Sequence, residues 1–198
     1  MGNIRREVKR MKRGFALKVW VYFLCVSFLL LTSGFHTRVA GAKETNRPLG
    51  EMLSTGDVKF ESKAGVWKNI EVFEFPIFSG VRIKTEEGPC LVTLQGNRQI
   101  DVGRNSLFSF DQNEKMELTQ GSIEFRLPST TALSFKVGEL TVVSKLLQSD
   151  ATIGSIAVHS NGAVTIKSHQ GSLSVVNQER VVLAEVSSKD KLTLPAAN

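Results

Sequence analysis

Ile123-Glu124-Phe125-Arg126-Leu127, followed closely by Leu133-Ser134-Phe135-Lys136-Val137, alternates apolar and polar residues with a period of two. In an extended chain successive side chains point to opposite faces. Each run therefore gathers Ile, Phe, Leu and Val on one face and Glu, Arg, Ser and Lys on the other. One face packs on a core and the other meets water, as in a half-buried antiparallel sheet.

The same alternation runs through Asp57-Val58-Lys59-Phe60-Glu61, Glu71-Val72-Phe73-Glu74-Phe75, Val164-Thr165-Ile166-Lys167 and Leu173-Ser174-Val175. These segments are rich in Val, Ile, Phe and Thr, which suit a pleated surface. Glycines at 80, 88, 96 and 103, then at 121, 138, 154, 162 and 171, punctuate them. Asn161-Gly162 is the strongest hairpin signal, because a type I′ turn needs positive φ at both central residues. Gly96-Asn97 and Gln170-Gly171 are weaker forms of the same chemistry. The expected fold is all-β, a single domain over residues 56–194 built of short antiparallel strands, as a sandwich or a β-solenoid-like coil. Thr141 to Ile153 has room for a helical turn or two, although Thr141-Val142-Val143 favours a strand. Residues 43–55, polar around Pro48, read as a linker.

Upstream, the pattern changes. Six of the first thirteen residues are Lys or Arg, and the thirteen from Val19 to Leu31 carry no charge. Small residues ending in Ala40-Gly41-Ala42 follow. Basic, then apolar, then small-x-small is the order of a secretory signal peptide. Thirteen helical residues cover about 20 Å, against about 30 Å of hydrocarbon. The alternative is an uncleaved anchor over residues 15–35, holding the chain in the inner membrane with Lys18 reaching back to the interface. Residues 1–42 are thus a signal peptide or an anchor helix, and the rest is expected to be periplasmic or otherwise exported. Cys25 follows Tyr22-Phe23-Leu24, which lacks the small residues of a lipid-attachment site.

The formal net charge of +6 resides in the leader. Residues 1–42 hold eight Lys or Arg against Glu7, whereas the remainder holds 17 basic and 18 acidic residues. Such a balance leaves no surplus of cations to displace counterions from phosphates, so nucleic acid is not an expected partner. At 41% hydrophobic and 22% charged, the chain supports an ordinary core. Cys90 is the only cysteine beyond the leader, so the core and no intrachain disulfide must stabilise it; it reads as a small buried apolar residue.

Little in the chain suggests catalysis. There is no Gly-x-Ser-x-Gly elbow, and the histidines are His36, His159 and His169. His159 and His169 flank a hairpin segment near Asp150, but no third ligand stands at a metal-site spacing. Glu86-Glu87 precedes Gly88-Pro89 and reads as turn charges. No glycine cluster opens a helix that could cradle phosphate. Trp67, after Gly65 in a loop-like stretch, either caps one end of the core or offers an exposed indole to a sugar or protein partner. The chain is accordingly not expected to be an enzyme or to hold a cofactor or metal.

The order of these elements resembles the periplasmic FecR-like domain of ferric-citrate signalling regulators. The likeness opens at Gly56-Asp57-Val58 and Trp67-Lys68 and sharpens at Ile77-Phe78-Ser79-Gly80-Val81-Arg82-Ile83-Lys84-Thr85. Leu94-Gln95-Gly96-Asn97-Arg98-Gln99-Ile100 looks like the family's next hairpin, and Asn105-Ser106-Leu107 like the step after it. Leu118 to Phe125, Gly154-Ser155-Ile156 and a closing hairpin from Val164-Thr165-Ile166 to Gly171-Ser172-Leu173-Ser174-Val175 complete the series. Val81 replaces an Asp of the pattern, Ala157 and Val158 stand where an aromatic residue is usual, and Val182-Leu183-Ala184 runs into Glu185 without the family's late glycine. Only about fourteen to eighteen residues precede the apolar run, too few for the sigma-factor-binding domain of such regulators. The resemblance implies a β module binding an envelope protein or glycan, with a place in signal transduction. The alternatives are a membrane-anchored, truncated signal-transduction regulator and, further off, an exported glycan-active enzyme, which would need a cleft with paired acids.

Overall fold

The computed structural model describes residues 47–145 and 151–196 of the 198. The expected leader, with its apolar segment and residues Cys25 and His36, lies outside them. Sixteen strands form the described part. In chain order they are β1 (Gly50–Ser54), β2 (Val58–Lys63), β3 (Val66–Asn69), β4 (Glu74–Ile77), β5 (Arg82–Thr85), β6 (Cys90–Leu94), β7 (Arg98–Val102) and β8 (Leu107–Phe110). There follow β9 (Met116–Leu127), β10 (Ser134–Val137), β11 (Leu140–Ser144), β12 (Thr152–Val158), β13 (Val164–Gln170), β14 (Leu173–Val176), β15 (Val182–Val186) and β16 (Lys191–Leu194). The all-β class read from the alternation is the class observed.

The strands fall into two layers. A front sheet runs β4-β1-β6-β7-β9-β12-β13-β16. A back sheet runs β3-β2-β5-β8-β9-β10-β11-β14-β15. Every pairing is antiparallel except β9 with β10. The strands before β9 build one half of each sheet, and those after it build the other.

β9 belongs to both layers. Its first residues, Met116 to Gln120, pair with β8, and Gly121 to Leu127 pair with β12. Along it the buried positions change phase, from Met116 and Leu118 to Ile123, Phe125 and Leu127. A strand passing from one layer to the facing one must turn its apolar face around, and this phase change achieves it. Gly121 sits at the switch with φ +92°, and a Cβ there would lie 2.1 Å from Ser106 Oγ. Only glycine fits both the backbone angle and the space.

The core lies between the layers. Phe125 of the front sheet stacks on Phe135 of the back sheet with ring centroids 4.4 Å apart. Both are fully buried, as are Ile100, Ile156 and Ile166 in front and Ile83, Phe108 and Val142 behind. Burying one such side chain stabilises the fold by about 1.5–3 kcal/mol. Gly154 leaves room for this cluster, since a Cβ would come within 2.7 Å of Phe125 Cζ. Arg98 is also buried, bonding Gln95 O through Nε at 2.7 Å and pairing with the Glu114 carboxylate.

Four local expectations need correction. The linker expected over 43–55 contains β1, because Met52 is fully buried between the neighbours β4 and β6. Glu71-Val72-Phe73 is not strand; β4 begins at Glu74, and Val72 and Phe73 are 55% and 65% exposed. Phe75 is the residue of that run that packs, 5.3 Å from the ring of Phe60.

At Asn161-Gly162 only Gly162 has positive φ, so the turn is not type I′. His159 O accepts from Gly162 N there, and Asn161 Oδ1 from Ala163 N. The pair with positive φ at both residues is Gly96-Asn97, between β6 and β7. Finally, Gln170-Gly171 joins no hairpin. β13 pairs with β12 and β16 in front, and β14 with β11 and β15 behind, so this turn carries the chain between layers. Thr141-Val142-Val143 is strand, within β11.

Candidate functional site

Trp67 lies on β3, an edge strand of the back sheet, and not in a loop. The hairpin from β2 turns at Gly65, φ +77°, and brings Trp67 opposite Glu61. Val58 on β2 is buried, so Glu61, three residues on, faces outward, and Trp67 shares that outer face. The indole is half-buried without belonging to the core cluster. Arg82 of β5 donates from Nη1 to Glu61 Oε2 at 3.1 Å, and its guanidinium carbon lies 5.7 Å from the Trp67 ring centre. A cation over an indole at such a distance contributes about 0.5–1 kcal/mol and favours this placement of the ring. Val66 beside it is 49% exposed.

The same outer row continues across the back sheet. Arg82 stands opposite Ser109, Ser109 opposite Glu117, and Glu117 opposite Lys136. Lys136 Nζ is 2.9 Å from Glu117 Oε1. Acid and base therefore alternate, and each carboxylate of the row has its cation.

The front sheet carries a different outer row. Asp101 of β7 stands opposite Glu124 of β9, Glu124 opposite Ser155 of β12, Ser155 opposite Lys167 of β13, and Lys167 opposite Lys191 of β16. All four charged residues are exposed. None has an opposite charge within 4 Å among the described residues. Arg126 lies two residues along β9 from Glu124 without bridging to it. Like charges directly opposite destabilise a sheet, where an opposite-charge pair would contribute about 0.2–1 kcal/mol.

This row lines a trough of about 440 Å³. A second row of small residues runs beside it: Gly103, Ser122, Ala157 and Thr165. His159, beyond Ala157 at the end of β12, borders one side, with Nε2 2.8 Å from Thr165 Oγ1, which in turn lies 3.4 Å from Thr193 Oγ1. The histidine thus bonds to a hydroxyl and does not sit against a carboxylate. His169 lies on β13, two residues beyond Lys167 on the same outer face. No group of three His, Cys, Asp or Glu side chains suited to a metal ion occurs among the described residues.

Cys90 is buried on β6. Burial, and then the charge of Asp101, pushes its thiol up to about 12. An unfolded thiol titrates lower, so the folded protein holds this proton more tightly. Stability is complete below the unfolded pKa and falls as pH rises from there through the folded value. Glu86 is not a free turn charge. Lys59 at 2.9 Å and Lys84 at 3.4 Å bind it, and the hydrogen bond from Lys59 leads in lowering its pKa.

The front row escapes sequence reading because its members come from five strands spread between residues 101 and 191. Each looks like an ordinary solvent-facing strand position until the strand order is known. Trp67 was legible as a candidate because an aromatic beside a turn is a local signal. No protein-family model matches the chain, and no curated protein matches it.

Proposed function

We propose that residues 56–194 form an exported, non-catalytic FecR-like β module of the cell envelope that binds a protein or glycan partner. The observation that carries this reading is Trp67, held by Arg82 and Glu61 on the outer face of an edge strand. A half-buried indole offers apolar area at low entropic cost, and β3, paired with β2 alone among the described residues, offers its other edge for strand addition. Export is supported by the basic, apolar and small-residue order of residues 1–42. A fold of this kind fixes no function by itself, so the reading rests on that site.

Crosslinking in intact cells, followed by recovery of the tagged chain from envelope fractions, tests the reading. The expected result is one enriched protein or glycan, lost in Trp67→Ala and retained in Trp67→Phe. A chain located in the cytosol, or recovery indifferent to Trp67, overturns it. Sequencing the mature amino terminus separates an exported module from a membrane-anchored regulator: a start near Lys43 removes the basic stub that an anchored form keeps.

A further inference from the structure

The Asp101-to-Lys191 row of the front sheet separates charge where the Glu61-to-Lys136 row of the back sheet mixes it. Two acids, Asp101 and Glu124, occupy neighbouring strands at one end of the trough. Two bases, Lys167 and Lys191, occupy neighbouring strands at the other. Between them lie Ser155 and Ala157 of β12, with Ser122 beside Glu124 on β9 and Thr165 beside Lys167 on β13 in the adjacent row, none large enough to fill the space. Exchanging one acid with one base would neutralise both like-charged contacts, yet the sequence keeps them apart. A trough with a negative end, a positive end and a small polar floor is complementary to a molecule carrying a cation and an anion at opposite ends.

Strand spacing fixes the length of that molecule. Neighbouring strands lie about 4.8 Å apart, so Glu124 and Lys167 are separated by about 10 Å, and the middles of the acidic and basic pairs by about 14 Å. An extended peptide covers about 3.3–3.6 Å per residue. Three or four residues span the distance, with the amino terminus at the acids and the carboxyl terminus at the lysines. The hydroxyls of Ser122 and Ser155 stand along the path that the peptide groups of such a ligand would take, whereas that of Thr165 is already held by His159. A second copy of the chain is a poorer occupant, because two concave surfaces meeting face to face leave the space between them empty.

We propose that this trough binds short peptides with free amino and carboxyl termini, three to four residues long. The site is on the opposite layer from Trp67, and it stands or falls separately from the partner surface there.

Amide NMR of the labelled full chain, titrated with trialanine and tetraalanine up to about 10 mM, tests the proposal in the weak-binding range. Shifts are expected at Asp101, Ser122, Glu124, Ser155, Ala157, Thr165, Lys167 and Lys191. Acetylating the amino terminus or amidating the carboxyl terminus should each weaken binding about fivefold, as should raising the salt to about 1 M. Lys167→Glu with Lys191→Glu should abolish binding. Reversing all four charges, by adding Asp101→Lys and Glu124→Lys, should restore it with the peptide inverted. Capped peptides that bind as well as free ones overturn the proposal, as do shifts confined to the region of Trp67 or no shifts at all. Concentration-dependent self-association of the chain through this face also overturns it, by assigning the surface to a second copy.

Discussion

One outer row of each sheet uses similar residues in opposite ways, although elsewhere on the back sheet Lys59 stands opposite Lys84 with Glu86 bound to both. Behind, Glu61 meets Arg82 and Glu117 meets Lys136, each pair spanning neighbouring strands. In front, Asp101 meets Glu124 and Lys167 meets Lys191, so each charge has its own kind beside it. The back row is arranged as a sheet stabilises itself, with opposite charges in register. The front row gives up that stabilisation and gains a field running along the sheet. A surface that forgoes the cheaper arrangement is the one to suspect of recognition.

The largest expected effects lie in the shared core, and they test whether the two layers are energetically equivalent. Phe125→Ala in front and Phe135→Ala behind should each cost about 3–5 kcal/mol in urea unfolding. Comparable losses would show that the contrast between the outer rows is not a contrast between a strong sheet and a weak one. A loss confined to one layer would remove that basis.

A smaller change should come from making the front row resemble the back. The double variant Glu124→Lys with Lys167→Glu places acid beside base at both ends of the trough. It should stabilise the protein by about 1 kcal/mol, since two repulsive pairs become attractive ones. A variant less stable than the parent would mean that the separated charges are not a burden on the fold. The smallest effect belongs to the back row, where Lys136 and Glu117 are each nearly half exposed. Glu117→Gln should cost about 0.5 kcal/mol at low salt and nothing measurable at about 1 M. A cost that persists at high salt would point to a hydrogen bond in place of an ion pair.

The alternation read at Ile123 to Leu127 and Leu133 to Val137 led directly to two facing strands of one core, because period two reports which residues share a face. Across Gly121 the same rule breaks, and the break marks a layer change that only the strand pairings reveal. Met116 and Leu118 are out of phase with Ile123 and Phe125, and the glycine stands where the phase breaks. β1 was hidden because Met52 is its only fully buried apolar residue, too little pattern in a polar stretch beside Pro48. Phe73 misled in the other direction, since an aromatic at the right period can still end outside the sheet. Of the candidate sites, Trp67 could be singled out locally, whereas the charged trough could not. Its residues become neighbours only through the order β7-β9-β12-β13-β16, which no short stretch of sequence encodes.

The strand shared by both layers also bears on how the molecule assembles. A ribosome delivers the chain amino end first, and by Phe110 the orders β4-β1-β6-β7 and β3-β2-β5-β8 are already contiguous. β9 is the first strand able to bolt these two partial layers together, and everything translated later adds outward from it. A chain cut before Met116 therefore lacks every strand pairing that joins the two partial layers, whereas one that ends after Leu127 keeps them.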